Sequence, residues 1–485
     1  MSTLGSTAPR RRGALALLGA QWGKYAVQVG GIILLARLID PADFGLVSLG
    51  LALSGFAAVL GDFGLSLAAL RAPTLSAAQR DLLFWINTLV GIVATAVIIV
   101  AAFPLSVAYG DGRLVLVMAL LAPAFALRSA SVQYRVELNR GGRWGTLAAV
   151  EFVGDALGLV VAAVLALSGW GVVGLSVQGT VAAAITLAAS IACAHWTPRL
   201  PRRGVPIRSL LSFGGNTFAV HLLNYASANI GTMAVGAVSG SSVLGLFSRA
   251  NQLVNLPLDQ LANPLTRIVI PSLAAAGNTA EVQRRLRRFQ TLLCYPVLGY
   301  VSLLTAVAAP AIHVVLGEKW EPAAAFVPIL AVGAVFQTIG YVGYWAFVAE
   351  GRPGLLLGAE AIGRTTMIVL AILWASSGPG WVAVGIAIGH LVVWLASTFV
   401  FLPRAGVSGI LLARSAGRSV AVFLIAWAAT TAFDIAVGAA WDPLPRLAAL
   451  VAIWLTVAAV ACAVIARPDV AILTSFIRAR DAAVG

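Results

Sequence analysis

The chain has 485 residues, of which 60% are hydrophobic and 10% charged, and its formal net charge is +14. A soluble domain has about 25% charged residues, so no globular core could hide this much apolar surface, and the composition excludes a soluble globular protein. Nucleic-acid binding is not indicated either, because the basic residues are distributed among short loops between apolar segments.

About fourteen apolar segments are long enough to cross a bilayer, which takes about 20 residues in a helix. The first continues to Leu38, too far for a signal peptide, and no alternating pattern of a membrane β-barrel is found. The sequence therefore predicts an all-α polytopic membrane protein. Its helices are expected near Ala14–Leu38, Phe44–Leu70, Leu82–Phe103, Leu114–Val132, Leu147–Leu167, Val172–Ala194, Phe213–Val238, Leu244–Ile270, Leu292–Leu316, Ala325–Ala349, Leu355–Ala375, Trp381–Leu402, Val420–Val437 and Leu447–Ile465.

The arginines alternate between the two ends of these helices. With the N-terminus inside, most of them fall in inner loops and tails, and the outer side keeps Arg37, Arg113, Lys319 and Arg446. An excess of basic residues marks the cytoplasmic side, where they face anionic lipid headgroups. Residues 1–13 and 468–485 are therefore predicted to be cytoplasmic.

One short pattern occurs twice. Leu244–Ser248 reads LGLFS and lies 200 positions after Phe44–Ser48, which reads FGLVS. Both segments open a predicted helix after a short outer turn. The match favours two parallel six-helix repeats, 14–194 and 213–402, followed by two helices in 403–467. Transporters built from such repeats hold substrate near the membrane midplane.

Four stretches resemble bacterial polysaccharide flippases. They are Ala36–Leu46, Gly61–Ser66, Tyr134–Arg140 and Gly245–Ala250. The resemblance is to the oligosaccharide and polysaccharide branch of the multidrug/oligosaccharidyl-lipid/polysaccharide exporter superfamily, and it extends over nearly the whole chain. It implies two six-helix lobes around a central cavity plus two C-terminal helices.

The resemblance also implies a function. A member of this branch would move a polyprenyl-diphosphate-linked oligosaccharide from the inner to the outer leaflet of the bacterial cytoplasmic membrane by alternating access. Its partners would be the lipid-linked glycan, membrane lipids, and glycosyltransferases or a polymerase of the same pathway.

Lys24 lies near the midplane of the first predicted helix. A charge at that depth costs at least about 2.5–3.5 kcal/mol, so it usually faces a cavity or a partner. Gln21 and Gln28, three residues before and four after it, share its helix face. We predict that this face lines the cavity and that Lys24 holds a diphosphate as a point charge. A buried ion pair with Asp62 is the alternative.

The eighth predicted helix has a polar face. Too many polar side chains occur there for all of them to face lipid, and two prolines, tolerated where neighbours or water satisfy the freed carbonyls, interrupt its hydrogen bonds. We predict a cavity wall; for Arg249, a lipid-headgroup contact is the alternative. The polar residues are Arg249, Asn251, Gln252, Asn255 and Asp259, and the prolines are Pro257 and Pro264.

The seventh predicted helix carries His221 and Asn224 on one face. These side chains are candidates for hydrogen bonds to sugar hydroxyls. Hydrogen bonds between packed helices are the alternative.

Several acids lie at membrane depth. Glu151 and Asp155 are four residues apart and would repel each other when both are charged, so one could stay protonated. With Asp62 and Asp259 they are candidates for proton or sodium coupling, although Glu151 could instead pair with an inner-loop arginine. Glu360 and Arg364 have the same spacing with opposite charge and predict a local ion pair.

Signatures of enzymes and cofactors are missing from the sequence. No phosphate-binding glycine loop, nucleophile elbow or zinc motif is present, and the three cysteines lie apart in apolar segments. We expect no cofactor, no metal site and no catalytic residues.

An antiporter of drugs or small cations from the same superfamily is the first alternative function. It would need acidic rather than cationic cavity residues, and Asp62, Asp155 and Asp259 keep it open.

A membrane-embedded polysaccharide polymerase is the second alternative. Such an enzyme generally needs a sizeable aqueous loop for its catalytic groups, and the outer loops predicted here are short.

Overall fold

The computed structural model describes residues 30–62, 76–194, 196–201, 208–437 and 441–474. Within these ranges, the side chains of residues 57–62, 144, 208–221 and 437 are not described. All regular elements in the described residues are helical, and eleven helices are long and apolar enough to cross a membrane. The prediction of an all-α polytopic membrane protein is confirmed.

Eight helices are described up to Ala274. The predicted segment Leu114–Val132 corresponds to two consecutive helices, Arg113–Leu121 and Pro123–Arg140. Gly240 interrupts the last of the eight with φ 76° and ψ 173°, a conformation that glycine adopts at no steric cost. This break separates the predicted seventh and eighth helices. The elements are α1 (30–38), α2 (Pro41–Asp62), α3 (Ala77–Ala108), α4 (Arg113–Leu121), α5 (Pro123–Arg140), α6 (Trp144–Leu167), α7 (Gly171–Ala194) and α8 (Arg208–Ala274).

The remaining elements follow a short turn after α8. A 3₁₀ segment, Glu318–Phe326, precedes α11, and a π-helical turn, Ala396–Phe401, follows α13. The helices are α9 (Thr279–Ala306), α10 (Ala308–Leu316), α11 (Val327–Ala349), α12 (Pro353–Leu373), α13 (Pro379–Leu395), α14 (Gly409–Val437), α15 (Pro443–Ile465) and α16 (467–474).

Two helices begin well before the predicted positions. α9 starts at Thr279 instead of Leu292, after Asn278 accepts a hydrogen bond from the backbone N–H of Glu281 at 2.9 Å. α14 starts at Gly409 instead of Val420. In both cases the added turns carry arginines, so an apolar pattern marks the membrane-spanning part and misses the polar extension.

The chain divides into two compact units, Met1–Gly245 and Leu246–Gly485. In the first unit, α6 packs on α7 and α3 packs on α5. In the second unit, α12 and α11 pack on α13, and α9 and α15 pack on α14.

The last two long helices belong to the core of the second unit. The rings of Phe423 in α14 and Trp454 in α15 stack at 5.9 Å between centroids. The indole N–H of Trp454 donates to Ser302 Oγ at 3.0 Å, and Ser302 Oγ donates to the carbonyl of Phe423 at 2.7 Å. These contacts fix both helices against α9.

Candidate functional site

Several predicted site residues lie outside the described part of the chain. Gln21, Lys24 and Gln28 precede residue 30, and the side chains of Asp62 and His221 fall in ranges of which only the backbone is described. Their predicted roles therefore stay predictions.

Arg249 is 4% exposed, at the start of the part of α8 that belongs to the second unit. Its Nη1 donates to Gln252 Oε1 at 2.6 Å, and its guanidinium lies 5.3 Å from the ring centroid of Trp320. Trp320 is fully buried in the 3₁₀ segment. A cation over an indole face is stabilised by the ring quadrupole, which offsets part of the cost of burial. Arg249 is thus a buried charge that packs on an aromatic ring within the second unit.

The polar face of α8 continues beyond Arg249. Asn255 Nδ2 donates to the carbonyl and to the side-chain oxygen of Asn251, at 3.0 and 2.9 Å. Gln252 and Asp259 are exposed and lie seven residues apart, on one face of the helix. This face offers amide donors, amide acceptors and one carboxylate, the groups that bind sugar hydroxyls or a small cation.

Asn224 has a buried side-chain oxygen, Oδ1, that accepts no hydrogen bond from the described residues. Nearby, the hydroxyl of Tyr225 donates to the carbonyl of Ala52 at 3.0 Å, and Asn229 Nδ2 donates to the carbonyl of Tyr225 at 3.0 Å. Buried acceptors are normally paired, so a ligand or water that reached the Asn224 oxygen would complete its hydrogen bonding.

The acids of α6 differ in their surroundings. Glu151 accepts a short hydrogen bond from Arg135 Nη2 and forms an ion pair with it. The structure therefore contains the ion pair with a basic residue that was one of the two alternatives for Glu151. Asp155 is exposed on the same helix. In the second unit, Glu360 pairs with Arg364, as their spacing predicts.

The Tyr134–Arg140 stretch forms a network at one end of the first unit. Arg80 Nη1 lies 3.1 Å from Glu137 Oε2, and its guanidinium lies 4.6 Å from the ring centroid of Trp196. The ring of Tyr134 packs against the same indole at 5.1 Å between centroids. The stretch therefore ties α3, α5 and the segment after α7 together, a structural role that its composition did not reveal.

An acidic residue of the first stretch is also engaged. Arg113 Nη1 lies 3.3 Å from Asp43 Oδ1, and Arg113 Nη2 lies 2.9 Å from Asp111 Oδ2. The hydrogen bond from Arg113 holds the pKa of the Asp111 carboxyl below its usual value. These residues join the start of α2 to the loop between α3 and α4.

The repeated pattern forms one contact. A Cβ atom on Gly45 would lie 1.8 Å from the carbonyl oxygen of Ser241, and one on Gly245 would lie 1.8 Å from that of Pro41. The two clashes are reciprocal across a 200-residue offset. Helix backbones approach this closely only where small residues face each other. The starts of α2 and of the second segment of α8 are therefore in backbone contact.

An apolar groove lies in the second unit, between α9, α11 and α14. Its volume is about 240 Å³. Apart from the indole N–H of Trp427, its polar lining groups are the hydroxyls of Ser302 and Thr305. Both side chains bond to carbonyls, Ser302 to Phe423 and Thr305 to Val301, so the groove has an apolar wall.

No group of three or more His, Cys, Asp or Glu side chains in the described ranges is placed to hold a metal ion.

Comparison with known sequences gives one family match and several relatives. The family model described as "Polysaccharide biosynthesis protein" matches residues 34–325. The lipopolysaccharide biosynthesis protein WzxC of Escherichia coli (strain K12) is 24% identical over 401 residues, covering 78% of each chain. The succinoglycan biosynthesis transport protein ExoT of Rhizobium meliloti (strain 1021) is 24% identical over 378 residues, covering 73% of this chain and 74% of ExoT.

Comparison with solved structures identifies the fold. The Lipid II flippase MurJ, in an inward closed conformation, has a TM-score of 0.73 and 12% identity, covering 94% of this chain and 98% of that chain. The Vibrio cholerae MATE transporter VcmN has a TM-score of 0.54 and 15% identity, covering 81% and 96%. At these identities the likeness concerns the fold alone.

Proposed function

Since the chain belongs to the polysaccharide biosynthesis protein family, we propose that it is a flippase that moves a polyprenyl-diphosphate-linked oligosaccharide across the cytoplasmic membrane by alternating access. The observation that carries this proposal is the polar face of α8, which lies in a helix long and apolar enough to span the membrane. A transporter of a sugar headgroup needs such a face, because hydroxyl groups crossing the bilayer must exchange water for protein hydrogen bonds.

The headgroup would be bound by polar and cationic side chains of three predicted helices. Lys24, with Gln21 and Gln28, would hold the diphosphate. His221, Asn224, Gln252 and Asn255 would bind sugar hydroxyls, which could complete the hydrogen bonding of the buried Asn224 oxygen. Arg249 would act through Gln252, whose side-chain oxygen it binds.

The polyprenyl chain would stay in an apolar environment. The groove between α9, α11 and α14 offers a largely apolar lining to such a chain. Isoprenoid carbons can pack there by dispersion and by removal from water, without specific hydrogen bonds.

The contact between Gly45 and Gly245 supports alternating access. The arginine distribution predicts that this end of α2 and α8 is the outer one. A bulky headgroup could leave on that side only after the two backbones separate, so the contact would be a closed outer barrier.

Ion coupling would involve acids that are exposed in this state. Asp259 is the candidate on the polar face of α8, where it is exposed, and Asp155 and Glu151 stay candidates on α6, where Glu151 forms an ion pair with Arg135. The side chain of Asp62 stays a candidate from sequence alone. Both termini are proposed to be cytoplasmic, where glycosyltransferases or a polymerase of the same pathway would supply or use the glycan.

The test combines transfer in liposomes with export in cells. Purified protein in proteoliposomes should transfer a labelled polyprenyl-diphosphate oligosaccharide between leaflets. In a host that depends on this gene, Lys24→Ala should abolish surface polysaccharide while protein abundance stays normal, and Lys319→Ala, which changes the other lysine of the chain, should not.

Two results would contradict the proposal. Drug or cation efflux without glycolipid transfer would favour an antiporter, and glycan chain growth without transfer would favour a polymerase. Unchanged export by the Lys24→Ala variant would remove only the role assigned to Lys24.

A further inference from the structure

A basic pocket lies in the second unit, away from the polar face of α8. It has a volume of about 710 Å³ and is formed by the end of α8, the first turns of α9 and α16. The arginine distribution predicts that this end of the unit is cytoplasmic. The basic lining residues are Arg284, Arg285, Arg287 and Arg288.

The arginines crowd one side of α9. Arg284, Arg287 and Arg288 are spaced three and four residues apart, so their guanidinium groups are neighbours on the helix surface. Like charges at these spacings destabilise a helix by about 0.2–0.5 kcal/mol per pair. An anion bound nearby would offset this repulsion.

The acids around the pocket are already engaged. Glu281 pairs closely with Arg285, which also donates to the carbonyl of Ser272, and Arg284 Nη2 lies 3.7 Å from the same carboxylate. Asp469 is fully buried, and it accepts hydrogen bonds from Arg418 at 2.7 and 3.0 Å and from the hydroxyl of Tyr295 at 3.1 Å.

Arg287 is left underpaired by this arrangement. Its Nη2 lies 3.9 Å from Asp469 Oδ1, beyond hydrogen-bonding distance. Its Nε is buried and makes no hydrogen bond with the described residues. The side chain is 41% exposed, so the rest of the guanidinium is accessible to a ligand.

The pocket also has an apolar wall, formed by Phe289, Ala471 and Ile472. A ligand that fits both walls is anionic at one end and apolar at the other. Arginine binds phosphate oxygens through two parallel hydrogen bonds, which makes phosphate the anion best matched to a cluster of guanidinium groups.

We propose that this pocket binds the phosphate group of an anionic membrane phospholipid, with Arg284, Arg287 and Arg288 on the phosphate and Phe289 and Ile472 against the glycerol and first acyl carbons. The pocket shares no residue with the proposed transport site, and the proposal does not depend on the proposed function. A soluble phosphate compound could bind the same arginines, but it would gain no binding free energy from contact with the apolar wall.

The experiment uses the full-length protein in a neutral detergent, with lipid binding measured by native mass spectrometry. Phosphatidylglycerol is the anionic probe, phosphatidylcholine the zwitterionic one, and inorganic pyrophosphate the soluble competitor. The R284A/R287A/R288A variant should bind phosphatidylglycerol about tenfold more weakly than the unmodified protein, because it loses charge-assisted hydrogen bonds. The control R140A/R199A/R414A removes the same charge from exposed positions outside the pocket and should stay within about twofold.

Three results would overturn the proposal: equal loss in both triple variants, no preference for phosphatidylglycerol over phosphatidylcholine, or binding of pyrophosphate alone. Partial displacement of phosphatidylglycerol by millimolar pyrophosphate would support recognition through phosphate. If the triple variant does not fold, R287Q and R284K/R287K/R288K test the same point, and both should weaken phosphatidylglycerol binding. Glycolipid transfer by the variants, measured separately, tests the transport function and leaves this result unaffected.

Discussion

Gly45 and Gly245 face each other with no room for a methyl group between their helices. Gly45 packs against the backbone of Ser241, and Gly245 packs against the backbone of Pro41. Each glycine therefore contacts the residue four positions before the other glycine, so the contact is locally symmetric. Two segments that match each other in sequence at a 200-residue offset therefore also meet in space. This close contact requires glycine at both positions, because a Cβ atom at either one would overlap a carbonyl oxygen of the other helix.

Replacement of Gly45 by valine should open this contact. Overpacking of a tight interface costs about 1–3 kcal/mol, which the protein can relieve by separating α2 from α8. In the Ser241→Cys variant, the rate of labelling by a water-soluble maleimide should then increase by about tenfold. The background is a chain whose three native cysteines are changed to serine.

The matched control for this change is Gly112→Ala, because a Cβ at Gly112 meets nothing within 4 Å. That variant should leave the labelling rate unchanged. If Gly45→Val also leaves it unchanged while the protein stays folded, the contact is not a barrier to access.

The sequence predicted the helices better than the side-chain partners. Apolar segments predicted the all-α membrane fold, and four short stretches resembled the polysaccharide branch of the exporter superfamily. The structure and the relatives confirm both. The starts of α9 and α14 were misplaced because hydropathy reports membrane thickness and not helix length.

Partners distant in the chain could not be predicted. Arg249 faces Trp320, and Asp469 binds Arg418; neither pair has a local spacing that marks it. Glu360 and Arg364, four residues apart, could be paired in advance because helix geometry alone brings them together.

Trp320→Ala should destabilise the second unit strongly. Removal of a buried tryptophan costs about 3–5 kcal/mol, and here it also leaves the guanidinium of Arg249 without its aromatic face. Thermal unfolding in detergent should show a large drop in Tm. Trp441→Ala, at a 43% exposed tryptophan, is the control and should change Tm little. Similar effects of the two changes would argue against a structural role for the Arg249–Trp320 contact.

Asp469→Asn should weaken the attachment of α16 to α9 and α14. An amide cannot replace a carboxylate that accepts two hydrogen bonds from Arg418, and hydrogen bonds to charged groups contribute about 1.5–3 kcal/mol. We expect faster hydrogen exchange in residues 467–474 and a lower Tm. The control is Asp442→Asn, which makes the same chemical change at an exposed acid. It should alter neither the hydrogen exchange of residues 467–474 nor the Tm. Unchanged exchange in the Asp469 variant would show that the buried pair is dispensable.

Glu151 forms an ion pair within the first unit, whereas Asp259 is exposed on the polar face of α8, so their substitution should affect transfer differently. Glu151→Gln should retain most glycolipid transfer in proteoliposomes, because its charge is engaged by Arg135 and serves the packing of α5 and α6. Asp259→Asn should instead remove the dependence of transfer on an imposed proton or sodium gradient, because Asp259 is exposed on the polar face of α8. Loss of gradient dependence in the Glu151 variant, with the Asp259 variant unaffected, would move the coupling site from α8 to α6.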